Sequence, residues 1–523
     1  MVESMLHVDE SCRGLKKAEV SDKKQVLLRL TSTELGDADQ LSRRAIGVLT
    51  DNALIEIFEF YLGKDDPYVV VFADDHDYDG WQTLVHVCRR WRCIVFSSPR
   101  RLDLKLLCSR QRLVNSKTLD IWPELPIVIF SRDMESKEDV TNVIGALRHH
   151  DRVCKIFYHN EQFQTSFLKE FTAIDEPFPA LTNLYLSSSE QNVPVLPDSF
   201  LGGSAPRLRS LDLRGIPYPS IGKLLSSTTN LVRLSLGRIP HSGYISPETI
   251  VPCLSTLARL ELLGLGFRYP RSRAHRASRH PPPLTRIVFP SLTSLRFNGD
   301  IEYLEDILSQ IETPILNESY LSFFNQLVFD TPVLGHFIRR TETFIATHTA
   351  CIRLDSFAVQ VALSGKEEMA NNDVETLSLI ISCKPLDWQL SAVAQVLNSF
   401  LSSLSTLESL EIAIDHEDWQ GEIEAIQWRE FLHPFAAVKK VSLKDEASVR
   451  LVAPALREFG RERATEVLPA LQNLSLTTSG WSPSGPLKGP IEEFITTRRL
   501  YGHPVTVHYE ITESYEDTES EEV

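Results

Sequence analysis

The 523-residue chain reads as an α/β protein in which a small helical module precedes a long series of short strands and return helices. Three observations carry that expectation. Apolar residues recur at three- and four-residue steps from Trp81 to Phe96 (Trp81, Leu84, Val85, Cys88, Trp91, Val95), which is a helix period. A hexad, L-x-x-L-x-L, returns from Leu181 to Leu476 at intervals of about 23 to 35 residues, the mark of a repeat architecture. The net charge of −16 sits mostly in two short stretches, so the body between them is close to neutral.

The helical module is predicted in two parts. Thr50, Asp51 and Asn52 are N-cap residue types, and Leu54, Ile57, Phe58 and Tyr61 follow on one face. The helix over 81–96 becomes apolar around more than half its circumference once Val87 and Ile94 are added. It is either buried on all sides or has two partners, one of them outside the chain. Ser97-Ser98-Pro99 ends it, because proline cannot continue a helix and restricts the residue before it. Beyond it, Leu102, Leu104 and Leu106 alternate as in a strand.

A capped L-x-x-x-x-L-x-x-I-F helix, Leu49 to Phe58, followed by W-x-x-L-x-x-V-C-R-R-W-R and S-P-R, resembles the F-box. F-box modules are small helical units that dock on the Skp adaptor of cullin-based ubiquitin ligases. The resemblance covers residues 49–106, and Val87 to Trp91 is its most specific part. It implies that Leu49, Thr50, Leu54, Ile57, Phe58, Leu84, Val87, Cys88 and Trp91 are adaptor-facing or core positions. Two departures stand out: Thr50 occupies the usual proline position, and roughly twenty residues separate the two helices. With the segment Leu119 to Ile129 after it, the chain is similar over nearly its whole length to a large group of F-box proteins from mushroom-forming fungi.

The hexad or a close variant begins at Leu181, Leu208, Leu231, Leu257, Leu292, Val374, Leu407, Val438 and Leu471. Val153 opens a first member and Leu316 a degraded one, while the copy expected within 335–370 cannot be placed. Each hexad predicts a short strand with its leucines inward, and Pro247–Ile250, Ile301–Leu308 and Leu390–Leu404 carry helix marks between strands. This is an irregular leucine-rich-repeat solenoid of short parallel strands and convex helices, since no unit buries its apolar face alone. The expected divisions are an N-terminal arm, partly disordered, over 1–44, and the F-box over 45–109 with an acidic insert at 63–80. A linker and cap follow over 110–150, then the solenoid over 151–509 and a disordered acidic tail over 510–523.

The insert contains Asp75-His76-Asp77-Tyr78-Asp79-Gly80, the opening of a calcium loop, but His86 stands where the bidentate glutamate belongs. It is expected to be a solvated acidic loop. The segment Arg268 to Arg286 holds six arginines and four prolines and is expected to be an exposed loop. In a strand L-x-x-L-x-L-x the third, fifth and seventh positions face away from the leucines. Arg214, Arg233, Arg259 and Arg296 fall there on consecutive repeats, either as solvated surface or as a basic stripe that selects an acidic or phosphorylated target.

The eight cysteines show no C-x-x-C pair, no phosphate-binding glycine motif occurs, and no nucleophile elbow is present. No enzyme, no cofactor and no metal site is expected. An acidic chain is a poor nucleic-acid ligand, and the longest apolar runs are too short to span a membrane. A cytoplasmic or nuclear location follows. The leading expectation is a substrate receptor that holds the Skp adaptor, and through it a cullin, with one end and a target protein with the other. The alternative is a binding scaffold that no longer docks the adaptor.

Overall fold

The structure is a computed structural model. It describes residues 49–62, 80–109, 125–132, 137–160, 166–190, 193–270, 286–325, 329, 331–365, 376–383, 386–398, 406–415, 424–463, 466–478 and 488–511. The N-terminal arm, the acidic insert up to residue 79, residues 271–285 of the arginine-rich segment and the tail from 512 lie outside the described residues. The chain forms two compact units, Met1–Leu106 and Leu107–Val523.

Among the described residues the first unit contains three helices, α1 (Asp51–Leu62), α2 (Gly80–Val87) and α3 (Arg89–Ser97). Thr50 opens α1 as an N-cap: its Oγ1 accepts the Ala53 amide at 3.3 Å. Leu54, Ile55 and Phe58 are buried on α1, together with Trp81, Leu84 and Val85 of α2 and Ile94 and Val95 of α3. Trp81 donates its indole N–H to the Lys105 carbonyl at 2.9 Å, satisfying the one polar atom of a buried ring.

The single helix expected over 81–96 is in fact two. Cys88 is extended (φ −158°, ψ 169°), and its Sγ caps α3 by accepting the Trp91 amide at 3.5 Å. Arg92 Nε meanwhile donates to the Val85 carbonyl at 3.0 Å, supplying a donor to a carbonyl at the end of α2. The break explains the broad apolar face. Trp81, Leu84 and Val85 on α2 and Ile94 and Val95 on α3 reach the core as two separate stripes, while Val87 and Cys88 of the same apolar face stay exposed. The alternation from Leu102 also reads differently: Leu102 and Leu104 are buried in irregular backbone, and the strand begins only at Leu106.

The strands are β1 (Leu106–Cys108), β2 (Ile127–Arg132), β3 (Val153–Asn160), β4 (Asn183–Ser188), β5 (Ser210–Arg214), β6 (Arg233–Ile239), β7 (Leu262–Phe267), β8 (Ile287–Val288) and β9 (Ser294–Gly299). They continue with β10 (Ile311–Glu312), β11 (Glu318–Phe323), β12 (Thr349–Asp355), β13 (Ala358–Ser364), β14 (Leu377–Ser382), β15 (Ser409–Asp415), β16 (Lys440–Leu443), β17 (Asn473–Thr478) and β18 (Thr506–Ile511). Among the described residues sixteen of them form one sheet, in the order β1-β2-β3-β4-β5-β6-β7-β9-β11-β14-β13-β12-β15-β16-β17-β18, and β8 pairs with β10 apart from it. With fourteen α-helices among the described residues, the class is α/β with a largely parallel sheet.

Two rows of buried side chains run across the strands. Leu184, Leu211, Leu234, Leu263 and Leu295 are in register, as are Leu186, Leu213, Leu236, Leu265, Phe297 and Leu321. One hexad was therefore read out of register. On β7 the equivalent leucines are Leu260, Leu263 and Leu265, not Leu257, Leu260 and Leu262. The leucine-dense run from 257 to 265 satisfies the pattern twice, and only pairing with β6 chooses between the two readings.

The copy that could not be placed within 335–370 is an interruption of the parallel order. After β11 the chain runs through helices Pro332–Arg340 and Glu342–Ile345 and enters the sheet three places further on, as β12. It doubles back as β13, antiparallel to both β12 and β14, and β14 fills the place beside β11. Asp355 makes the reversal, its Oδ1 accepting the amides of Phe357 and Ala358 at 2.6 and 2.7 Å in an Asx-type turn. Glu305, buried on helix Ile301–Gln310, accepts the Val333 and Leu334 amides at 3.0 and 2.7 Å and so caps helix Pro332–Arg340 from outside its own segment. At the far end, β18 extends to Ile511, so Glu510 belongs to the sheet and not to the acidic tail.

Candidate functional site

Two surfaces are built by these elements. On the helical unit, the nine residues implied by the resemblance separate into an inner and an outer set. Leu54, Phe58 and Leu84 are core. Leu49, Thr50, Ile57, Val87 and Cys88 are exposed, Ile57 at 45% and Val87 at 56%, and Trp91 is half-buried with its ring edge-on to Phe58 at 4.8 Å. The inward face of α1 uses Ile55 where the sequence suggested Ile57 and Tyr61. Those two, with Phe60 at 78% exposure, stand on the outer side at i, i+3 and i+4 spacing. Phe60 was missed, although its spacing from Ile57 is a signal that could have found it.

Arg90 joins the two ends of this surface. Its guanidinium donates to the Leu49 carbonyl at 2.6 Å and to Asp51 Oδ1 at 2.7 and 3.2 Å. The start of α1, carrying Leu49 and Thr50, is thereby held beside the start of α3, next to Val87 and Cys88. Leu49 and Val87 are exposed apolar side chains at this end of the unit, and exposed apolar groups that cluster mark an interaction surface. The cysteines provide a check on exposure. Cys88 and Cys93 are exposed, whereas burial pushes the Cys108 thiol up to about 12 against the lowering effect of Arg152. Brief alkylation with iodoacetamide at about pH 8 is expected to label Cys88 and Cys93 and to leave Cys108 unmodified, as read by peptide mass spectrometry.

The second surface is the sheet face opposite the leucines. The four arginines assigned to it do not form one stripe. Arg233 pairs in register with Ser210, Arg296 with Gly264, and Arg214 with Gly237, which places each in a different row. Arg259 lies before β7, where it donates to Asn230 Oδ1 at 3.3 Å, and Leu262 takes its expected place. The register shift on β7 is the cause. Arg214 pairs with Asp212 on its own strand at 3.1 Å and covers the Tyr185 ring at 5.4 Å. Arg268, at the start of the arginine-rich segment, turns back and donates to the Ser189 and Glu190 carbonyls at 2.9 and 2.7 Å.

Comparison of the chain with protein-family models and with curated proteins gives no match. Among the described residues no helix is long and apolar enough to cross a membrane.

Proposed function

We propose that the chain is the substrate-receptor subunit of a Skp-cullin-F-box ubiquitin ligase. The helical unit is an F-box that binds the Skp adaptor, and the sheet with its return helices is an irregular leucine-rich-repeat solenoid that binds a target protein. One observation carries the reading: Leu49, Ile57, Phe60, Tyr61 and Val87 remain exposed on a unit whose core is closed by Leu54, Phe58, Leu84 and Val95. Apolar groups in this number on so small a unit are compatible with solubility when a partner covers them. Thr50 is accommodated, because its side chain caps α1 at the position where the family has proline.

Co-expression of the full chain with a fungal Skp adaptor tests the reading. Stoichiometric co-purification supports it. A well-folded chain that leaves the adaptor behind favours the scaffold reading instead.

A further inference from the structure

Among the described residues four hydroxyl side chains stand directly before a proline: Ser98, Ser246, Thr313 and Thr331. In each case the proline serves the fold, ending or opening a helix or a turn. Thr313 and Thr331 are buried, and Ser246 Oγ shares a hydrogen bond with Thr249 Oγ1 at 3.1 Å before helix Pro247–Leu254. Ser98 differs. Its backbone is engaged, the amide donating to the Val95 carbonyl at 3.2 Å and the carbonyl accepting the Leu102 amide at 3.1 Å. Its Oγ, however, makes no hydrogen bond among the described residues. Arg100 and Arg101 follow the proline, both exposed, and Arg100 has no hydrogen-bond or ion-pair partner among the described residues.

A half-exposed serine with proline after it and two cations beyond is the pattern that proline-directed kinases accept. Proline brings no N–H into the cleft, and the guanidinia pair with acidic groups on the enzyme. The end of α3 accounts for Pro99, but it accounts neither for the unpaired hydroxyl nor for the free Arg100. Ser98 lies between the last turn of α3 and a single turn that runs to Asp103, and helix ends open more readily than their middles. The same turn brings Ser98 and Arg101 to i, i+3 spacing on one side. Arg101 ties this turn to α1, its Nε donating to Glu59 Oε1 at 2.6 Å in an exposed ion pair. Exposed pairs of this kind contribute little stability, so a stronger anion on the same turn displaces the carboxylate readily.

We propose that Ser98 is a phosphorylation site for a proline-directed serine/threonine kinase, and that its phosphate draws Arg101 away from Glu59. In the step itself the bond from Ser98 Oγ to phosphorus forms as the γ-phosphoryl of ATP leaves ADP, and the hydroxyl proton passes to a base of the kinase. The phosphoserine carries about two negative charges at pH 7 and three acceptor oxygens, more than the Glu59 carboxylate offers the same guanidinium. With Arg101 withdrawn, the second half of α1, where Ile57, Phe60 and Tyr61 stand exposed, loses a tie to the rest of the unit, while Arg90 still holds Asp51 at the start of the helix.

Incubation of the full chain with magnesium, ATP and a purified kinase of the cyclin-dependent class, read by phosphopeptide mass spectrometry, tests the site. Ser98 is modified and Ser246, Thr313 and Thr331 are not. Ser98→Ala removes the signal, whereas Ser97→Ala, at the neighbouring hydroxyl that donates to the Ile94 carbonyl, keeps it. Arg100→Gln combined with Arg101→Gln slows incorporation by about tenfold or more, the effect of losing charge-assisted contacts with the kinase. Hydrogen exchange on the modified chain tests the consequence. The amides from Glu59 to Leu62 exchange faster by up to about fivefold, the scale of an exposed ion pair. Glu59→Gln brings the unmodified chain to the same rates, and phosphorylation of that variant changes them no further. Absence of phosphate at Ser98, an equal yield at Ser246, or exchange in α1 unaltered by full modification would each overturn the proposal. Neither readout uses the adaptor, so failure here and failure of the ubiquitin-ligase reading are separate results.

Discussion

Val87→Asp is expected to leave the helical unit folded and to abolish capture of the proposed Skp adaptor, whereas Phe58→Ala is expected to unfold the unit. The two residues come from the same short stretch of resemblance but sit on opposite sides of the packing. Val87 is 56% exposed at the end of α2, so an aspartate there stays in water and costs the free chain about 0.3–1 kcal/mol through the helix dipole. In a complex the same carboxylate would be buried without a partner, a penalty of about 2–5 kcal/mol, enough to lower affinity at least 30-fold. Phe58 is fully buried and meets the Trp91 ring edge-on at 4.8 Å. Truncating it removes about 3–5 kcal/mol, a large share of what any small unit possesses. Trp91→Ala, by contrast, should cost less than Phe58→Ala, because Trp91 is only half-buried, which reverses the ranking its size suggests. Thermal melts by circular dichroism separate folding from binding, and adaptor pull-down reads the rest. A folded Val87→Asp variant that still holds the adaptor would remove Val87 from the interface.

The second large effect is expected at Glu305. Its carboxylate is buried and accepts two backbone amides at the start of helix Pro332–Arg340, which leads the chain out of β11 and across to β12. Glu305→Ala leaves both amides without that acceptor inside the protein, at about 1–3 kcal/mol each, and adds a small cavity. A loss of about 3–5 kcal/mol is expected, seen as a lower urea midpoint at unchanged slope. Glu305→Gln should fall between the two, since its amide oxygen can accept while its NH2 group opposes a donor. A midpoint unaltered by Glu305→Ala would mean that water or another group serves the helix end equally well.

Much of this protein was legible wherever the signal is local and periodic. The inward leucines of β4, β5 and β6 follow from alternation alone, because a strand whose one face is buried admits one assignment. A capped start within Thr50–Asn52 and the helices beginning at Pro247 and Ile301 were equally readable, since the first turn draws on residues adjacent in the chain. Along α1 the helix itself was plain, but not which side of it faces in. Ile55 and Ile57 are alike in chemistry, and the choice between them belongs to α2 and α3.

What the tertiary structure alone decided is pairing. The run from Leu257 to Leu265 fits the hexad in two registers, and contact with β6 selects the one that removes Arg259 from the sheet face. The β12–β13 reversal within 335–370 left no hexad to find, because β13 is buried at nearly every position and reads as a plain apolar strand. Its place between β14 and β12 is a contact between segments far apart in sequence. The stacking of Phe130 on Phe157 and of Phe157 on Tyr185, with ring centroids 4.7 and 4.5 Å apart, has the same origin. Phe130, Phe157 and Tyr185 lie in three separate stretches of sequence and meet only when parallel pairing aligns their strands. Local residues set which backbone forms; the burial of apolar area between distant segments sets which side chains meet, and that term is not written in any single window of the chain.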